Sequence, residues 1–515
     1  MVITIVGSGA SALALLYNLL QQSPEDTDQA TTIYLVEKRG TFGPGAAYAE
    51  DAASNLLNTK TGFITPFHDR PGDFFQWLKD NERLWQRAFP GFRPDPDSYA
   101  PRPLFGMYMQ SRMAWIVKEA LKKTIRIIQV DAEAVDVAKV GDNFVTRTNC
   151  TLSLTSNYVF LCAGTMPARQ PTDAGQSGRV LATPYPINEL PRTIPADASV
   201  GIIGARLSCI DAVIGLVEGG HRGPITIHSR SGHFPSVRGT QGRITPRLLT
   251  ADHIDALVRQ KGKLSLRDLV QVVVQEMSLQ SNQITTFPVL PPSPPASLAD
   301  YLDEEIALAG GARLWQAVLY ATNPVIDRLW NALADGDKAE LLARYFSTFM
   351  AYRVSIPVEN ARKIRQYLQQ GQLSFVAGDM QITPAEDGGM RVATSRPGED
   401  AGTCRDYDYL INATGSPRAV TELDSRLIAN LLAKGTLAPH RFGGVAIDPE
   451  TYAAVNAHGV RDPRLFVLGE LTVGTFFFIS ALDINARHAR KCALAFADAI
   501  TQRRQPEDIE LARHG

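Results

Sequence analysis

Two glycine-rich turns carry the residues of this sequence that are best suited to binding phosphate groups. The first turn follows the β-branched run Val2–Val6 and precedes a helical pattern over Ser11–Gln21. Its G-x-G-x-x-A spacing allows a tight turn, close approach of a pyrophosphate at the second glycine and close strand–helix packing at the small last residue. Backbone N–H groups at the helix start then face the phosphates. We therefore predict a dinucleotide site at Gly7, Gly9, Ala10, Ser11 and Ala12.

An acidic residue at the end of the next predicted strand, Thr32–Glu37, supports this interpretation. The Glu37 carboxylate can accept hydrogen bonds from an adenosine ribose, although it lies farther along the chain than the usual ~20 residues. We include Glu37 and the adjacent Lys38 in the predicted site. A tight turn followed by a surface glutamate is the alternative interpretation.

Small residues after three later apolar strands favour FAD over NAD at this first site. Ala163-Gly164 and Ala413-Thr414-Gly415 stand where flavoproteins with two dinucleotide domains pass the chain between the domains close to the cofactor. Leu465–Gly469 is similar to the strand and glycine that contact the ribityl and pyrophosphate of FAD. Glu470 follows, where aspartate is usual. We assign Ala163, Gly164, Gly469 and Glu470 to the FAD site.

The second glycine turn differs from the first at its most crowded position. Gly204 follows the predicted strand Val200–Ile203, but Arg206 replaces the second glycine. Its guanidinium could turn outward and bind phosphates, which predicts an altered NADPH site, or it could block the site. Arg230, after the next strand, is the residue type that holds an NADP 2′-phosphate. Gly204, Arg206 and Arg230 are therefore the predicted NADPH contacts.

Alternating strands and helices around both turns predict an α/β fold with two Rossmann-type dinucleotide-binding domains and a helical insertion. At 515 residues the chain is long enough for several domains. We predict an FAD-binding domain at 1–195 and 411–515, an NAD(P)-type domain at 196–240 and 362–410, and a helical insertion at 241–361 that contributes the substrate pocket. The proline run Pro288–Pro295 predicts a surface connection within the insertion.

Composition excludes several other classes of protein. The net charge of −1 gives no reason to expect a nucleic acid or anionic membrane partner. The five cysteines have neither disulfide nor zinc spacing, which predicts buried free thiols and no metal. No apolar run reaches the ~18 residues of a membrane span. With a strand beginning at Val2 and no targeting pattern before it, we expect a cytoplasmic protein.

Several further blocks resemble the bacterial YdhS-like FAD/NAD(P)-binding proteins, relatives of the amine N-hydroxylating flavin monooxygenases. The blocks extend over nearly the whole chain and include Gly43–Tyr48, Asn55–Asn58, Asp73–Leu78, Pro101–Tyr108 and Tyr352–Gln370. The resemblance implies that Leu57, Asn58 and Arg102 lie near the flavin.

The segment Leu471–Phe478 departs from the family's pattern, because relatives carry a more polar segment there. A helix N-terminus at about Ser480 would point its partial positive end at the flavin. Phe476, Phe477 and Phe478 beside it predict an apolar pocket, with simple core packing as the alternative.

These motifs favour an NADPH-dependent single-component monooxygenase that hydroxylates a small polar metabolite, with nitrogen as one candidate position. Such an enzyme needs a small-molecule substrate and molecular oxygen, and few catalytic side chains because the flavin supplies the chemistry. No Ser-His-Asp, Cys-His or paired-carboxylate pattern is evident, so we assign no catalytic residue. A flavin oxidase or dehydrogenase without NADPH, and a redox-inactive FAD-binding partner protein, are the alternatives. The sequence indicates no oligomeric state.

Overall fold

A computed structural model describes residues 1–23, 30–169, 178–281, 295–386, 388–396 and 402–511. The chain forms two compact units. The first unit contains residues 1–49, 59–166 and 418–515, and the second contains residues 50–58 and 167–417.

Seventeen strands are assigned in the described part of the chain: β1 Val2–Val6, β2 Thr31–Glu37, β3 Ile125–Asp131, β4 Ala134–Val140, β5 Asn143–Thr148, β6 Ser153–Ser156, β7 Tyr158–Leu161, β8 Val180–Leu181, β9 Val200–Ile203, β10 Ile225–Ser229, β11 Leu373–Ala377, β12 Asp379–Pro384, β13 Met390–Ser395, β14 Thr403–Tyr407, β15 Tyr409–Asn412, β16 Ala453–Val455 and β17 Arg461–Val467.

The same ranges contain seventeen α-helices: α1 Ala10–Gln22, α2 Asp73–Asp80, α3 Glu82–Trp85, α4 Arg102–Leu121, α5 Leu190–Thr193, α6 Leu207–Glu218, α7 Ala251–Lys261, α8 Leu266–Ser281, α9 Leu298–Ala309, α10 Leu314–Ala321, α11 Ile326–Ala332, α12 Asp335–Glu340, α13 Phe346–Arg353, α14 Val358–Gln369, α15 Arg426–Ala433, α16 Val473–Phe476 and α17 Leu482–Leu511. One π-helical turn, Leu341–Tyr345, joins α12 to α13.

The first unit is built on a six-stranded sheet of order β16-β17-β7-β1-β2-β3, parallel except for the β16–β17 pair. The β-branched and apolar run of β1 pairs on both sides, with Val6 opposite Val36 of β2 and Leu161 of β7. The order of strands reverses between β1 and β7, and the carboxyl ends of such strands form the crevice where open α/β sheets bind ligands. A three-stranded antiparallel sheet, β4-β5-β6, completes the unit.

The second unit repeats this plan with a parallel five-stranded sheet of order β11-β10-β9-β15-β8. Helix α6 supplies a buried apolar face to its core, and α9 and α14 contribute Leu302 and Ile364 to the same core. The reversal of strand order here lies between β9 and β15. An antiparallel sheet, β12-β13-β14, is attached to this unit.

The predicted fold class is confirmed, because each unit has a parallel sheet of the dinucleotide-binding type. Residues 167–195 differ from the expected segmentation, since β8 pairs with β15 in the sheet of the second unit. Helix α4 begins at Arg102, where Pro103 in the first turn is compatible with helix geometry. The two antiparallel sheets were not predicted from the sequence.

Two smaller expectations have mixed outcomes. Cys162, Cys209 and Cys492 are buried free thiols as predicted, but Cys150 and Cys404 are exposed, so the prediction of burial is wrong for these two. Cys404 lies on β14, an edge strand that pairs with β13 in its sheet.

Most of the proline run, Pro288–Pro294, lies outside the described residues. Among the residues that are described, no helix is long and apolar enough to cross a membrane.

A buried ion pair holds the helical part of the second unit. The Arg313 guanidinium donates two hydrogen bonds of 2.6 Å to the Glu305 carboxylate, and each side chain is 9% exposed. Glu305 also accepts from the backbone N–H of Val237 at 2.7 Å, and Arg313 donates to the Val237 carbonyl at 2.9 Å. The pair thereby attaches the segment after β10 to α9 and the start of α10.

Replacing Glu305 with alanine should therefore destabilise the second unit strongly. The substitution leaves the buried Arg313 charge and the Val237 N–H without their acceptor, which costs about 3–5 kcal/mol in the free energy of unfolding. Asp255→Ala is the control, because it breaks the exposed 2.6 Å pair with Arg328 and should cost about 0–1 kcal/mol. Urea unfolding followed by circular dichroism measures both, and equal effects would contradict the prediction.

Candidate functional site

The first glycine turn lies at the carboxyl end of β1, at the reversal of strand order. Gly7 has φ +92°, and a Cβ at this position would overlap the carbonyl of Cys162 just after β7. Its N–H donates to the Val36 carbonyl at the end of β2, at 2.8 Å. Only glycine meets both demands without strain. The turn thus ties the ends of three adjacent strands and delivers the chain into α1.

The second glycine of the turn faces another glycine. A Cβ on Gly9 would lie 3.3 Å from the Cα of Gly45, and a Cβ on Gly45 would lie 2.9 Å from the Cα of Gly9. The Gly43 N–H donates to the Ser8 carbonyl at 3.0 Å, so the loop after β2 is fastened to the turn. Because both Gly9 and Gly45 lack a side chain, neither residue fills the space next to the N-terminus of α1.

Glu37 lies beside the same turn and is almost fully buried. Its Oε2 accepts hydrogen bonds of 3.0 Å from both the N–H and the hydroxyl of Ser8, and its Oε1 accepts from the Arg39 N–H at 3.2 Å. A carboxylate offers about four acceptor positions, so three bonds leave capacity for a ribose hydroxyl. The alternative of a surface glutamate is excluded, because Glu37 is 5% exposed.

The C-terminal part of the first unit returns to this turn. Gly469 has φ +77°, and a Cβ there would lie 2.7 Å from the Ser11 hydroxyl. That hydroxyl donates to Oδ1 of Asn485, in the first turn of α17, at 2.8 Å. Two predicted residues from opposite ends of the sequence, Ser11 and Gly469, are therefore adjacent. The sequence analysis missed Asn485, whose only signal is its place near the start of a helix.

An arginine that the sequence analysis missed fixes the segment after Gly469. Arg418 donates to the carbonyls of Phe442 at 3.3 Å, Phe477 at 3.1 Å and Val473 at 3.0 Å. Burial lowers its pKa to about 10, so the guanidinium stays protonated at neutral pH. One side chain thus joins the loop at Phe442 to both ends of α16.

Phe477, directly after α16, has a backbone conformation that residues other than glycine rarely adopt. Its φ of 67° and ψ of −57° define a γ-turn of the strained type. The Phe478 N–H donates to the Phe476 carbonyl at 2.8 Å, as this turn requires. Such strain persists only where surrounding contacts enforce it, and it concentrates at functional sites. All three phenylalanines are buried.

Glu470 follows Gly469 and interacts with the Arg418 charge. Burial raises the pKa of its carboxyl group, and the nearby Arg418 opposes that rise. Its backbone belongs to a short 3₁₀ turn, Gly469–Thr472, in which the Thr472 hydroxyl donates to the Gly469 carbonyl at 2.7 Å. The first unit therefore places one buried cation and one partly buried carboxyl group beside the segment that returns to the glycine turn.

The second glycine turn has the same backbone geometry as the first. Gly204 has φ +108°, and a Cβ there would lie 2.7 Å from the Ala413 carbonyl just after β15. Its N–H donates to the His228 carbonyl on β10 at 2.8 Å. This turn also lies at a reversal of strand order and leads into a helix, α6.

Arg206 is the N-cap residue of α6, and its side chain reaches the helical segment. Nη2 donates to the Ser347 hydroxyl at 3.2 Å, and the guanidinium lies 5.6 Å from the ring centroid of Phe346. Burial and the nearby Arg230 charge lower the Arg206 pKa. Arg230 itself is exposed. The two predicted arginines are thus brought close enough to repel each other at the carboxyl end of the second sheet.

The remaining predicted residues have less distinctive surroundings. Ala163 and Gly164 follow β7 directly, and Lys38 forms an exposed 3.2 Å ion pair with Glu133. Arg102 begins α4 in the first unit. Burial raises the pKa of Tyr48 to about 12, and the Arg102 charge opposes that rise. Leu57 and Asn58 belong to the second unit. No group of three or more His, Cys, Asp or Glu residues in the described ranges could hold a metal ion.

These residues fit an adenine dinucleotide in the first unit. The Gly9–Gly45 approach keeps Cβ atoms out of the position that a pyrophosphate occupies in such turns, and the α1 N–H groups supply donors. Glu37 supplies the ribose acceptor. In the second turn, Arg206 stands at the motif position that is usually glycine, and its guanidinium contacts Ser347 and Phe346.

Comparison with known proteins agrees with this geometry. Residues 4–166 match the FAD-NAD(P)-binding family. The reduced form of ornithine hydroxylase PvdA from Pseudomonas aeruginosa is similar in structure, with a TM-score of 0.58 and 14% identity over 97% of this chain and 99% of that chain. For L-lysine 6-monooxygenase from Pseudomonas syringae the TM-score is 0.57 and the identity 16%, over 97% of this chain and 99% of that one.

Another similar structure is Kutzneria sp. 744 ornithine N-hydroxylase KtzI, with a TM-score of 0.56 and 15% identity over 98% of this chain and 99% of that chain. No curated protein sequence matches the chain. Residues 4–166 are therefore similar to the FAD-NAD(P)-binding family, and the whole chain has a mixed α/β fold with parallel sheets typical of two Rossmann-type dinucleotide-binding domains.

Arg418→Met should loosen the segment from Gly469 to Phe478. The change removes three charge-assisted bonds to backbone carbonyls, and we expect a loss of about 3 kcal/mol in the free energy of unfolding, together with faster release of added FAD. Thermal melting and flavin fluorescence measure the two effects. Arg426→Met is the matched control, because Arg426 is an exposed residue at the start of α15 in the same unit. Equal behaviour of the two variants would contradict a clamping role for Arg418.

Proposed function

We propose that this protein is an FAD-dependent oxidoreductase, and specifically an NADPH-dependent single-component monooxygenase that hydroxylates a small polar metabolite. Nitrogen is the proposed site of hydroxylation, and molecular oxygen is the second substrate. The observation that carries the proposal is the first glycine turn, where Gly9 faces Gly45 and buried Glu37 bonds to Ser8. The resemblance to YdhS-like proteins and the similar folds of the ornithine and lysine hydroxylases support it.

In this proposal the first unit holds FAD through its backbone. Gly7, Gly9, Ala10, Ser11 and Ala12 present the helix N-terminus to the pyrophosphate, and Glu37 accepts from the ribose. Ala163, Gly164, Gly469, Glu470 and Arg102 complete the proposed cofactor contacts within this unit. Bound FAD would accept a hydride and activate oxygen, which explains why the chain needs no dedicated nucleophile.

The protein's own side chains then have the tasks of orienting groups and excluding water. Buried Phe476, Phe477 and Phe478 keep the segment before α17 apolar, and Arg418 fixes its backbone. An apolar, closed surrounding protects reactive oxygen chemistry from bulk water. We propose that the helices between residues 241 and 361 supply most of the substrate contacts, since the segment after β10 is bonded into them through Glu305 and Arg313.

The proposed NADPH site in the second unit depends on two arginines. Arg206 and Arg230 are close enough for the charge of one to lower the pKa of the other, and an anion between them would relieve that repulsion. Ser347 is a neutral acceptor that Arg206 can exchange for a phosphate oxygen. These contacts favour the interpretation in which the guanidinium serves the cofactor.

One observation favours the second candidate, a flavin oxidase or dehydrogenase that does not use NADPH. The Arg206 guanidinium is held against the start of α13 by its contacts with Ser347 and Phe346. If that contact persists in solution, the second turn is closed and electrons must come from the substrate itself. A redox-inactive FAD-binding partner protein would also leave this turn closed.

Gly9→Val should abolish tight FAD binding. The branched side chain fills the gap opposite Gly45, where the Cβ alone would lie 3.3 Å from the Cα. Purified wild-type protein should be yellow and carry non-covalent FAD, whereas the variant should be colourless with unchanged circular dichroism. Absorbance at the flavin band and extraction of the cofactor measure this. A wild-type chain that never binds FAD, or a variant with full flavin content, would refute the assignment.

Arg206→Gly separates the two interpretations of the second turn. If the guanidinium binds phosphate, the variant should lose a charge-assisted contact of ~1.5–3 kcal/mol, which is about 10- to 150-fold in NADPH affinity. Anaerobic flavin reduction by NADPH, followed by stopped-flow absorbance, gives the rate for each protein. Ser347→Ala is a companion variant that removes only the competing acceptor. Faster reduction by Arg206→Gly would support blockage instead, and no reduction by either protein would favour the oxidase or non-enzymatic candidates.

A further inference from the structure

An arginine in the second unit, outside the glycine turn, has an unusual set of partners. Arg238 follows Val237, which forms an isolated parallel bridge with Ile356, and the Arg238 N–H donates to the Ile356 carbonyl at 2.9 Å. Its backbone is therefore fixed between the segment after β10 and the segment that precedes α14. The side chain is partly exposed.

Three neutral groups orient the Arg238 guanidinium. Nε donates to the Ser355 hydroxyl at 2.8 Å, and Nη2 donates to the Asn58 carbonyl at 3.0 Å. The guanidinium carbon lies 3.9 Å from the ring centroid of Tyr320, a close cation–π contact. The Tyr320 hydroxyl is in turn 2.7 Å from the Ser355 hydroxyl. The group is held on one edge and on one face by its own chain.

The other edge of this guanidinium has no protein partner among the described residues. A guanidinium has five N–H donors, and the two bonds above use one on Nε and one on Nη2. No carboxylate in the described ranges pairs with Arg238. By contrast, Arg313 in the same unit is neutralised by two bonds to Glu305. Arg238 therefore keeps its charge and a two-nitrogen edge available.

A second cation contacts the same tyrosine. The guanidinium carbon of buried Arg353 lies 4.7 Å from the Tyr320 ring centroid, and Arg353 also bonds to the Asn323 side-chain oxygen. The cluster of Arg238, Tyr320 and Arg353 therefore has two guanidinium groups on one ring, and Arg238 is the more exposed of the two.

We propose that the free edge of Arg238 forms a binding subsite for the carboxylate of a small molecule. The planar Nη1–Nη2 edge matches the two oxygens of a carboxylate, and the cluster already orients it, so little entropy is lost on binding. That this molecule is the hydroxylation substrate rests on the proposed function; that a carboxylate binds here does not. A nucleotide phosphate is the competing source of an anion, and the experiment distinguishes the two.

The test is arginine-specific labelling of the purified, FAD-supplemented protein with phenylglyoxal, read residue by residue by mass spectrometry. Sodium acetate and sodium succinate should slow the modification of Arg238 severalfold, whereas choline chloride at equal ionic strength should not. Arg328, which pairs with Asp255 on the surface, serves as the internal control and should react at a rate that acetate leaves unchanged. No protection of Arg238, or protection by 2′,5′-ADP but not by the carboxylates, would overturn the proposal.

Calorimetric titration with succinate gives the second measurement. Arg238→Gln should weaken binding about tenfold or more, because the charge and the paired donors are lost. Arg238→Lys, which keeps the charge but not the fork, should weaken it by a smaller factor, and Arg328→Gln should not weaken it. Unchanged succinate affinity in Arg238→Gln would refute the subsite. If Arg238→Gln fails to fold, the labelling of the wild-type chain still decides.

Neither measurement requires NADPH, oxygen or turnover. A protein that binds succinate at Arg238 but is never reduced by NADPH would refute the proposed monooxygenase function and leave the subsite intact. If NADPH reduces the protein but carboxylates do not protect Arg238, the subsite is refuted and the proposed monooxygenase function is left intact.

Discussion

Close approach of backbone to backbone at two glycines is the constraint on which both units depend. In each unit a strand ends at a glycine with positive φ, and the missing Cβ gives room to a carbonyl just after the neighbouring strand: Cys162 beside Gly7 and Ala413 beside Gly204. Each glycine also bonds to the strand on its other side, at Val36 and His228. These contacts fix the spacing of the strand ends, the direction in which each following helix starts and the crevice at the strand ends.

The two turns differ at the next position of the motif, and this difference separates their chemistry. At Gly9 the facing residue is Gly45, so backbone approaches backbone and no Cβ of either residue occupies the space beside the helix N-terminus. At Arg206 a long cation occupies the same place in the motif and bonds to Ser347 in the helical segment. In the proposed function the first turn would bind phosphates through backbone N–H groups, whereas the second presents the guanidinium of Arg206 at the start of its helix.

Much of the fold could be predicted because its signals are local. Apolar runs such as Val2–Val6 and Val200–Ile203, each followed by a glycine turn, identify the central strands of both sheets. The antiparallel strand β12 was missed because most of its residues are exposed and show no alternation. Strand β8 pairs with β15 in the sheet of the second unit, and two residues of sequence give no signal for this long-range pairing.

Residues that hold the candidate site through contacts distant in sequence were the hardest to predict. Arg418 donates to three backbone carbonyls up to 59 positions away. Every residue has a backbone carbonyl, so the residue type at these positions does not indicate the contact. Asn485 contacts Ser11 across 474 positions. The glycines, in contrast, were predictable, because glycine is the residue type that adopts positive φ and permits close backbone approach at such turns.

The arginines of the second unit show how one residue type serves structure in one place and recognition in another. Arg313 is buried against Glu305, so its charge is cancelled and its contribution is to packing and stability. Arg206 and Arg238 donate to serine hydroxyls and a backbone carbonyl, which satisfy hydrogen bonds and leave the charge in place. Aromatic rings, Phe346 and Tyr320, supply the faces against which these cations rest. Neutral partners hold a guanidinium in a fixed orientation without neutralising its charge. This is the physical basis of the anion sites that we propose in the second unit, although the chain as a whole is nearly neutral.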